Sequence, residues 1–238
     1  MQMQIEHQDI IIATPDGEMP AFLCFSTENS SKPAVLVLME AFGLTQHIKD
    51  VTIKIANEGY LAIAPDLYYR DLPSNKFGYD EVELATSMMY SLDFSKTIED
   101  IKATLDYLKS RADVHSDRIG VTGFCFGGSM TLYTATKFSS EITVAAPFYG
   151  VVLDEWLEAF QDITIPVYLF FGGTDPFIPK ERIKQIDSRL QELNKNYKLK
   201  VYDDADHGFF CHERSSYNHL AAEDSWYELK KFLKKHLF

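Results

Sequence analysis

Cysteine is scarce in this chain: Cys24, Cys125 and Cys211 are the three in 238 residues. So sparse and odd a count argues against a disulfide framework and fits a reducing compartment. No two lie close enough for a Cys-x-x-Cys redox or zinc motif. Long apolar runs are missing too. Segments such as Ala34 to Met39 fall far short of the roughly 20 residues of a membrane-spanning helix. Met1-Gln2-Met3-Gln4 shows neither the basic nor the apolar part of a signal peptide, so a cytoplasmic location is expected. Positive charge is in deficit, with 23 Lys and Arg against 35 Asp and Glu and a formal net charge of -12. Such a chain repels phosphate backbones and anionic lipids, which argues against nucleic acid and membrane surfaces as partners. There is no internal repeat, low-complexity tract or linker, and no metal, flavin or nucleotide motif, so no metal and no cofactor are expected. The length and the 46% hydrophobic content fit one domain over residues 1–238. Nothing calls for an oligomer, and a monomer is expected.

What is present is an alternation of two patterns. Short β-branched runs occupy Asp9–Ala13, Ala21–Ser26, Ala34–Met39, Tyr60–Ala64, Arg118–Thr122, Thr143–Ala146, Pro166–Phe171 and Lys198–Tyr202. Helical spacing links Ile98, Ile101, Leu105 and Leu108 after a cap at Ser95. It also links Ile183, Ile186, Leu190 and Leu193 after Pro179, and Leu220, Trp226, Leu229 and Leu233 within about Tyr217 to Leu237. Strands alternating with helices imply an α/β fold with a mostly parallel sheet of about eight strands, covered by helices on both faces. The continuously apolar runs Val35–Leu38 and Val167–Phe171 suit strands buried on both sides. Thr14-Pro15-Asp16-Gly17 reads as a turn joining the first two runs into an antiparallel hairpin at a sheet edge. Residues 71–94 are the least regular stretch and are expected to lie over the carboxyl ends of the strands as a pocket wall.

The chemistry centres on Gly123-Phe124-Cys125-Phe126-Gly127-Gly128, a G-x-nucleophile-x-G elbow with cysteine as the nucleophile. Small residues on either side let the following helix cross close to the strand. Cys125 then stands above the sheet at a helix N-terminus, where backbone N–H groups favour a thiolate and an oxyanion. The competing structural reading is a free cysteine in a common glycine-rich turn. A nucleophilic cysteine needs an imidazole. Of seven histidines, His7 lies on the hairpin, His236 at the chain end, His115 in a polar turn and His47 at a helix start, while His212 and His219 trail the last strand. His207 lies just beyond that strand and is followed by Gly208, where loops of parallel sheets carry chemistry. Asp175, in the Gly-rich loop after Phe171, would orient it. Asp203, Asp204 and Asp206 are rivals from the histidine's own loop. The order Cys125, Asp175, His207 is the nucleophile–acid–base order of α/β-hydrolases. Candidate oxyanion donors are the N–H groups of Phe126 and Ala41. Glu40, at a strand end, is either a surface acid or a group controlling protonation of Cys125.

With these residues assembled, the chain resembles the dienelactone hydrolase family of α/β-hydrolases. The resemblance runs through Met39–Gly43, Ala64-Pro65-Asp66-Leu67-Tyr68, the Cys125 elbow, Phe148-Tyr149-Gly150, Gly172-Gly173-Thr174-Asp175 and Asp206-His207-Gly208-Phe209. It implies an α/β-hydrolase fold and cleavage of a carboxylic ester or lactone. It also implies that Glu40 holds and then activates the Cys125 thiol and that Tyr149 lines the pocket. Best-known members bind a substrate carboxylate with two arginines and a serine. Here Gly208 stands at the serine position and Cys211 at one arginine position, and no arginine occurs between Asp71 and Ser110. Arg70 and Arg214 are near in sequence only. A different, less anionic small-molecule ester or lactone is therefore expected. Two other classes stay open: an amidase or peptidase, and a non-catalytic ligand-binding or thiol-sensing protein on the same fold.

Overall fold

The computed structural model describes residues 4–28, 30–70 and 76–238. Its centre is one eight-stranded sheet in the order β1-β2-β4-β3-β5-β6-β7-β8. The strands are β1 (Ile5–Thr14), β2 (Gly17–Ser26), β3 (Lys32–Leu38), β4 (Leu61–Pro65), β5 (Val114–Phe124), β6 (Val144–Phe148), β7 (Val167–Gly172) and β8 (Tyr197–Tyr202). All eight apolar runs become strands. β1 and β2 form the antiparallel edge hairpin across Pro15-Asp16, β2 also pairs antiparallel with β4, and the other neighbours are parallel. β1 and β2 are longer than the apolar runs because their polar residues pair all the way to the turn, Thr14 against Gly17. The β5 register begins at Val114, so His115 is in the strand rather than in a turn.

Helices α1 (Gln46–Asn57), α2 (Val82–Ser91), α3 (Phe94–Ser110), α4 (Phe126–Lys137), α5 (Asp154–Ala159), α6 (Lys180–Glu192) and α7 (His219–Leu237) complete the chain. Two glycines of β5 show that both faces are covered. A Cβ on Gly120 would meet Leu233 and Leu237 of α7, whereas one on Gly123 would meet Gly127 and Thr131 of α4. Positions three apart on a strand face opposite ways. α1 lies on the α7 side, where Lys230 pairs with Glu58 just past the end of α1. The strands between are close-packed: Val35, Leu36, Val121, Ala145 and Leu169 have no more than 0% exposure.

Three details differ from the sequence reading. Helix α3 is capped by Asp93, whose side chain accepts a hydrogen bond from Ser95 N at 2.9 Å, so Ser95 is already helical. Leu220 opens α7 at 79% exposure, off the packed stripe of Leu229, Phe232 and Leu233. The stretch 71–94 contains a helix: residues 71–75 lie outside the described residues, but α2 follows. Its apolar residues do not share one face. Ala85 is its buried position, and Val82, Leu84 and Tyr90 are exposed, so no core-facing period marks it. Among the described residues, no helix is long and apolar enough to cross a membrane.

Candidate active site

The residues singled out above converge at the carboxyl ends of five parallel strands. Glu40 and Ala41 follow β3, Cys125 follows β5, Tyr149 follows β6, Asp175 follows β7 and His207 follows β8. These are consecutive neighbours in the sheet, and that alone brings residues up to 167 positions apart in sequence to one rim.

Cys125 occupies a strained turn. Its φ of 56° and ψ of -115° lie where a side-chain-bearing residue rarely goes. Packing holds it there. Its N–H donates to Phe148 O at 3.1 Å, and the crossing of α4 over β3 and β5 leaves no room for a larger residue at Gly127. A Cβ there would lie 2.2 Å from Leu38 O. The turn places Cys125, half-buried, before α4, whose Phe126 N–H has no partner within the helix.

Asp175 is anchored by its own loop, with Oδ1 accepting from the N–H groups of Phe177 (2.8 Å) and Ile178 (3.2 Å). Its other oxygen, Oδ2, lies 2.8 Å from His207 Nδ1, with both side chains buried. Asp206 instead accepts from the His207 backbone N–H, which leaves it a turn residue. The imidazole is gripped edge-on by Tyr149 and Phe177, ring centroids 5.1 and 5.0 Å away. Burial pushes the imidazole down. The charge on Cys125, hydrogen bonds to Asp175 and Cys125, and the Asp175 charge outweigh it and raise His207 from 6.5 to about 10. The arrangement favours the protonated imidazole, held by the Asp175 carboxylate.

Glu40 is no surface acid: it is 0% exposed. Burial raises its carboxyl above the usual range, against the opposing charges of Arg214 and His207. Oε1 is 3.5 Å from Arg214 Nη1, while Oε2 and the nearby Tyr149 hydroxyl have no hydrogen-bond partner. The thiol of Cys125 is engaged with His207. Ala41 lies in the turn closed by Gly43 N donating to Glu40 O at 3.0 Å, and its carbonyl is pinned by the Tyr68 hydroxyl at 2.9 Å. Ala41 follows β3 and Phe126 opens α4 just after β5, and these two strands are adjacent in the sheet.

Arg214 is the residue that sequence reasoning could not place. Successive turns, Cys211 N to Gly208 O, Arg214 N to Cys211 O and Tyr217 N to Arg214 O, coil the chain back after His207. They carry the guanidinium over Gly208 and onto the Phe42 ring, 5.3 Å from its centroid. A Cβ on Gly208 would come within 2.0 Å of Arg214 Nη1, so the space that a serine side chain would take holds the arginine instead. Spacing gives no hint of this, because the three-residue turns are set by backbone hydrogen bonds and leave no apolar period in the sequence. Arg70 is elsewhere, paired with Asp16 and Asp100.

The model of the dienelactone hydrolase family matches residues 19–237. The chain belongs to the dienelactone hydrolase family. A Synechocystis sp. protein provisionally named carboxymethylenebutenolidase is 32% identical over 100% of both chains. A Bradyrhizobium protein, provisionally a 2-oxo-3-(5-oxofuran-2-ylidene)propanoate lactonase, is 29% identical over 95% of this chain and 93% of its own. Among solved structures, a provisional dienelactone hydrolase from Klebsiella pneumoniae superposes with a TM-score of 0.91 at 27% identity, covering 98% of this chain and 100% of that one. Dienelactone hydrolase relatives thus share the whole length of the fold, and the α/β-hydrolase architecture read from the alternating pattern stands.

Proposed function

We propose that this protein hydrolyses a carboxylic ester or lactone through a Cys125–His207–Asp175 triad. The observation that carries the reading is the buried 2.8 Å contact of Asp175 with His207, whose imidazole also engages Cys125 on the strained elbow. The Cys125 thiolate attacks the acyl carbonyl. The N–H groups of Phe126 and Ala41 receive the oxyanion, worth about 2.7–4 kcal/mol per donor in enzymes where one was removed. The His207 imidazolium protonates the departing alkoxide, which in a lactone stays tethered to the acyl group. His207 then takes a proton from water as the water attacks the thioester, and Cys125 is released. Asp175 keeps the ring oriented throughout.

One guanidinium, Arg214, reaches the site, where best-known relatives use two arginines and a serine. The substrate is accordingly a lactone or ester that is less anionic than dienelactone near the reacting carbonyl. Initial rates on a short aryl ester and on cis-dienelactone, with wild type and Cys125→Ala, test both parts. Turnover of the aryl ester that vanishes in Cys125→Ala, with a poor dienelactone rate, is the expected result. Undiminished turnover in Cys125→Ala would sink the triad, and efficient dienelactone hydrolysis would sink the altered specificity.

A further inference from the structure

Glu40 has a second set of neighbours that the hydrolytic reading leaves unused. One donor atom each from Glu40, His47 and Cys211 lies within 4.8 Å of the others. Their exposures are 0%, 3% and 0%. Glu40 Oε2 and His47 Nε2 have no hydrogen-bond partner. Buried polar atoms are almost always paired, because a bare one has lost its hydrogen bonds to water and gained none in return. Two bare atoms beside a cysteine sulfur form a built donor set lacking its centre.

We propose that Glu40, His47 and Cys211 bind a thiophilic divalent cation of the zinc class. Carboxylate, imidazole and thiolate together are a zinc-type ligand set, with water completing a tetrahedron. Bonds of about 2.0–2.3 Å require donors about 3.5 Å apart, so the side chains must close by about 1 Å. His47 is ready to ligate, since its buried Nε2 has no hydrogen-bond partner. Cys211 is a free cysteine, buried beside Glu40 and His47. Because a thiol ligates as the thiolate, binding exchanges the Cys211 proton for the metal and releases that proton to solvent. The Tyr79 hydroxyl, hydrogen-bonded to the Cys211 sulfur, is placed to support the ligand from behind. Arg214 opposes the cation from its position beside Glu40 Oε1. The ion takes Glu40 Oε2 while Arg214 stays beside Oε1, so one carboxylate is shared between the cation and the Cys125 side.

The test uses the full-length Cys125→Ala protein, which removes the reactive thiol as a competing ligand. Cobalt(II) is titrated in, followed by the near-ultraviolet thiolate-to-cobalt charge-transfer band, and zinc(II) is titrated by competition with a chelating dye. One equivalent with a thiolate band is expected. Adding Cys211→Ser should remove the band, and adding His47→Gln should weaken zinc binding by about tenfold or more. Absence of a band in the Cys125→Ala protein, or a band that survives Cys211→Ser, overturns the site. Thermal melts of each variant identify any that fail to fold; Cys211→Ala then replaces Cys211→Ser for the band, and Glu40→Gln replaces His47→Gln for the affinity. The cobalt readout does not depend on turnover, so failure of the hydrolase reading would leave it intact. In the wild type, zinc should inhibit ester turnover reversibly, and His47→Gln should be less sensitive.

Discussion

At the scale of single residues, the decisive unit is the imidazole held between two potential anions. His207 is raised from 6.5 to about 10 in the folded chain. A raised folded value means that this contribution to stability is complete below the unfolded value and is lost as pH rises through about 10. The wild type should therefore lose urea resistance progressively between about pH 6.5 and pH 10. Cys125→Ser, which removes the sulfur that helps to raise His207, should lose much less. Equal losses in the two proteins would mean that Cys125 does not raise His207. Arg214 makes a second residue-scale case. Because its guanidinium lies 3.5 Å from Glu40 and covers Gly208, Arg214→Met should raise KM for a carboxylate-bearing lactone more than for a neutral one. An equal change in both KM values would remove Arg214 from substrate binding.

At the scale of elements, the elbow depends on how closely α4 crosses β3. Gly127→Ala places a Cβ against the Leu38 carbonyl at 2.2 Å. Overpacking against backbone cannot relax by a rotamer change, and a loss of more than about 2 kcal/mol in urea unfolding is expected. A loss below about 0.5 kcal/mol would show that the crossing is looser than drawn. The start of α3 is a milder case: Asp93→Ala removes the cap on Ser95 N and should cost about 1 kcal/mol without changing turnover. The Ser95 cap expected from sequence failed for a local reason. Asp93 and Ser95 are both good caps, and only the chain's entry angle selects between them.

At the scale of the whole molecule, Arg70 joins distant parts of the chain rather than serving the pocket. It bonds Asp100 of α3 through both Nη atoms, at 2.6 and 2.9 Å, and reaches Asp16 in the β1–β2 turn. The Asp100 side chain is 0% exposed, and its carboxyl is raised by burial against the pull of Arg70. Arg70→Met would leave that carboxylate unpaired, and a loss of about 3 kcal/mol is expected. The kcat on an aryl ester at a temperature where the variant stays folded should be unchanged. A kcat that falls with stability preserved would mean that Arg70 acts in catalysis.

The sequence by itself determined the alternation of strands and helices, the edge hairpin and the places of Cys125, Asp175 and His207 at strand ends. Each of these is written in local periodicity or in the spacing of glycine around a nucleophile. Tertiary structure alone decided which aspartate meets His207, because the choice between Asp175 and Asp206 depends on β7 and β8 lying side by side. It also decided that Glu40 is buried, that Arg214 coils back over Gly208, and that His47 from α1 meets Cys211 from the last loop. Those contacts join residues up to 174 positions apart. A chain records its local propensities residue by residue, but long-range neighbours exist only once the sheet has set its strands in order.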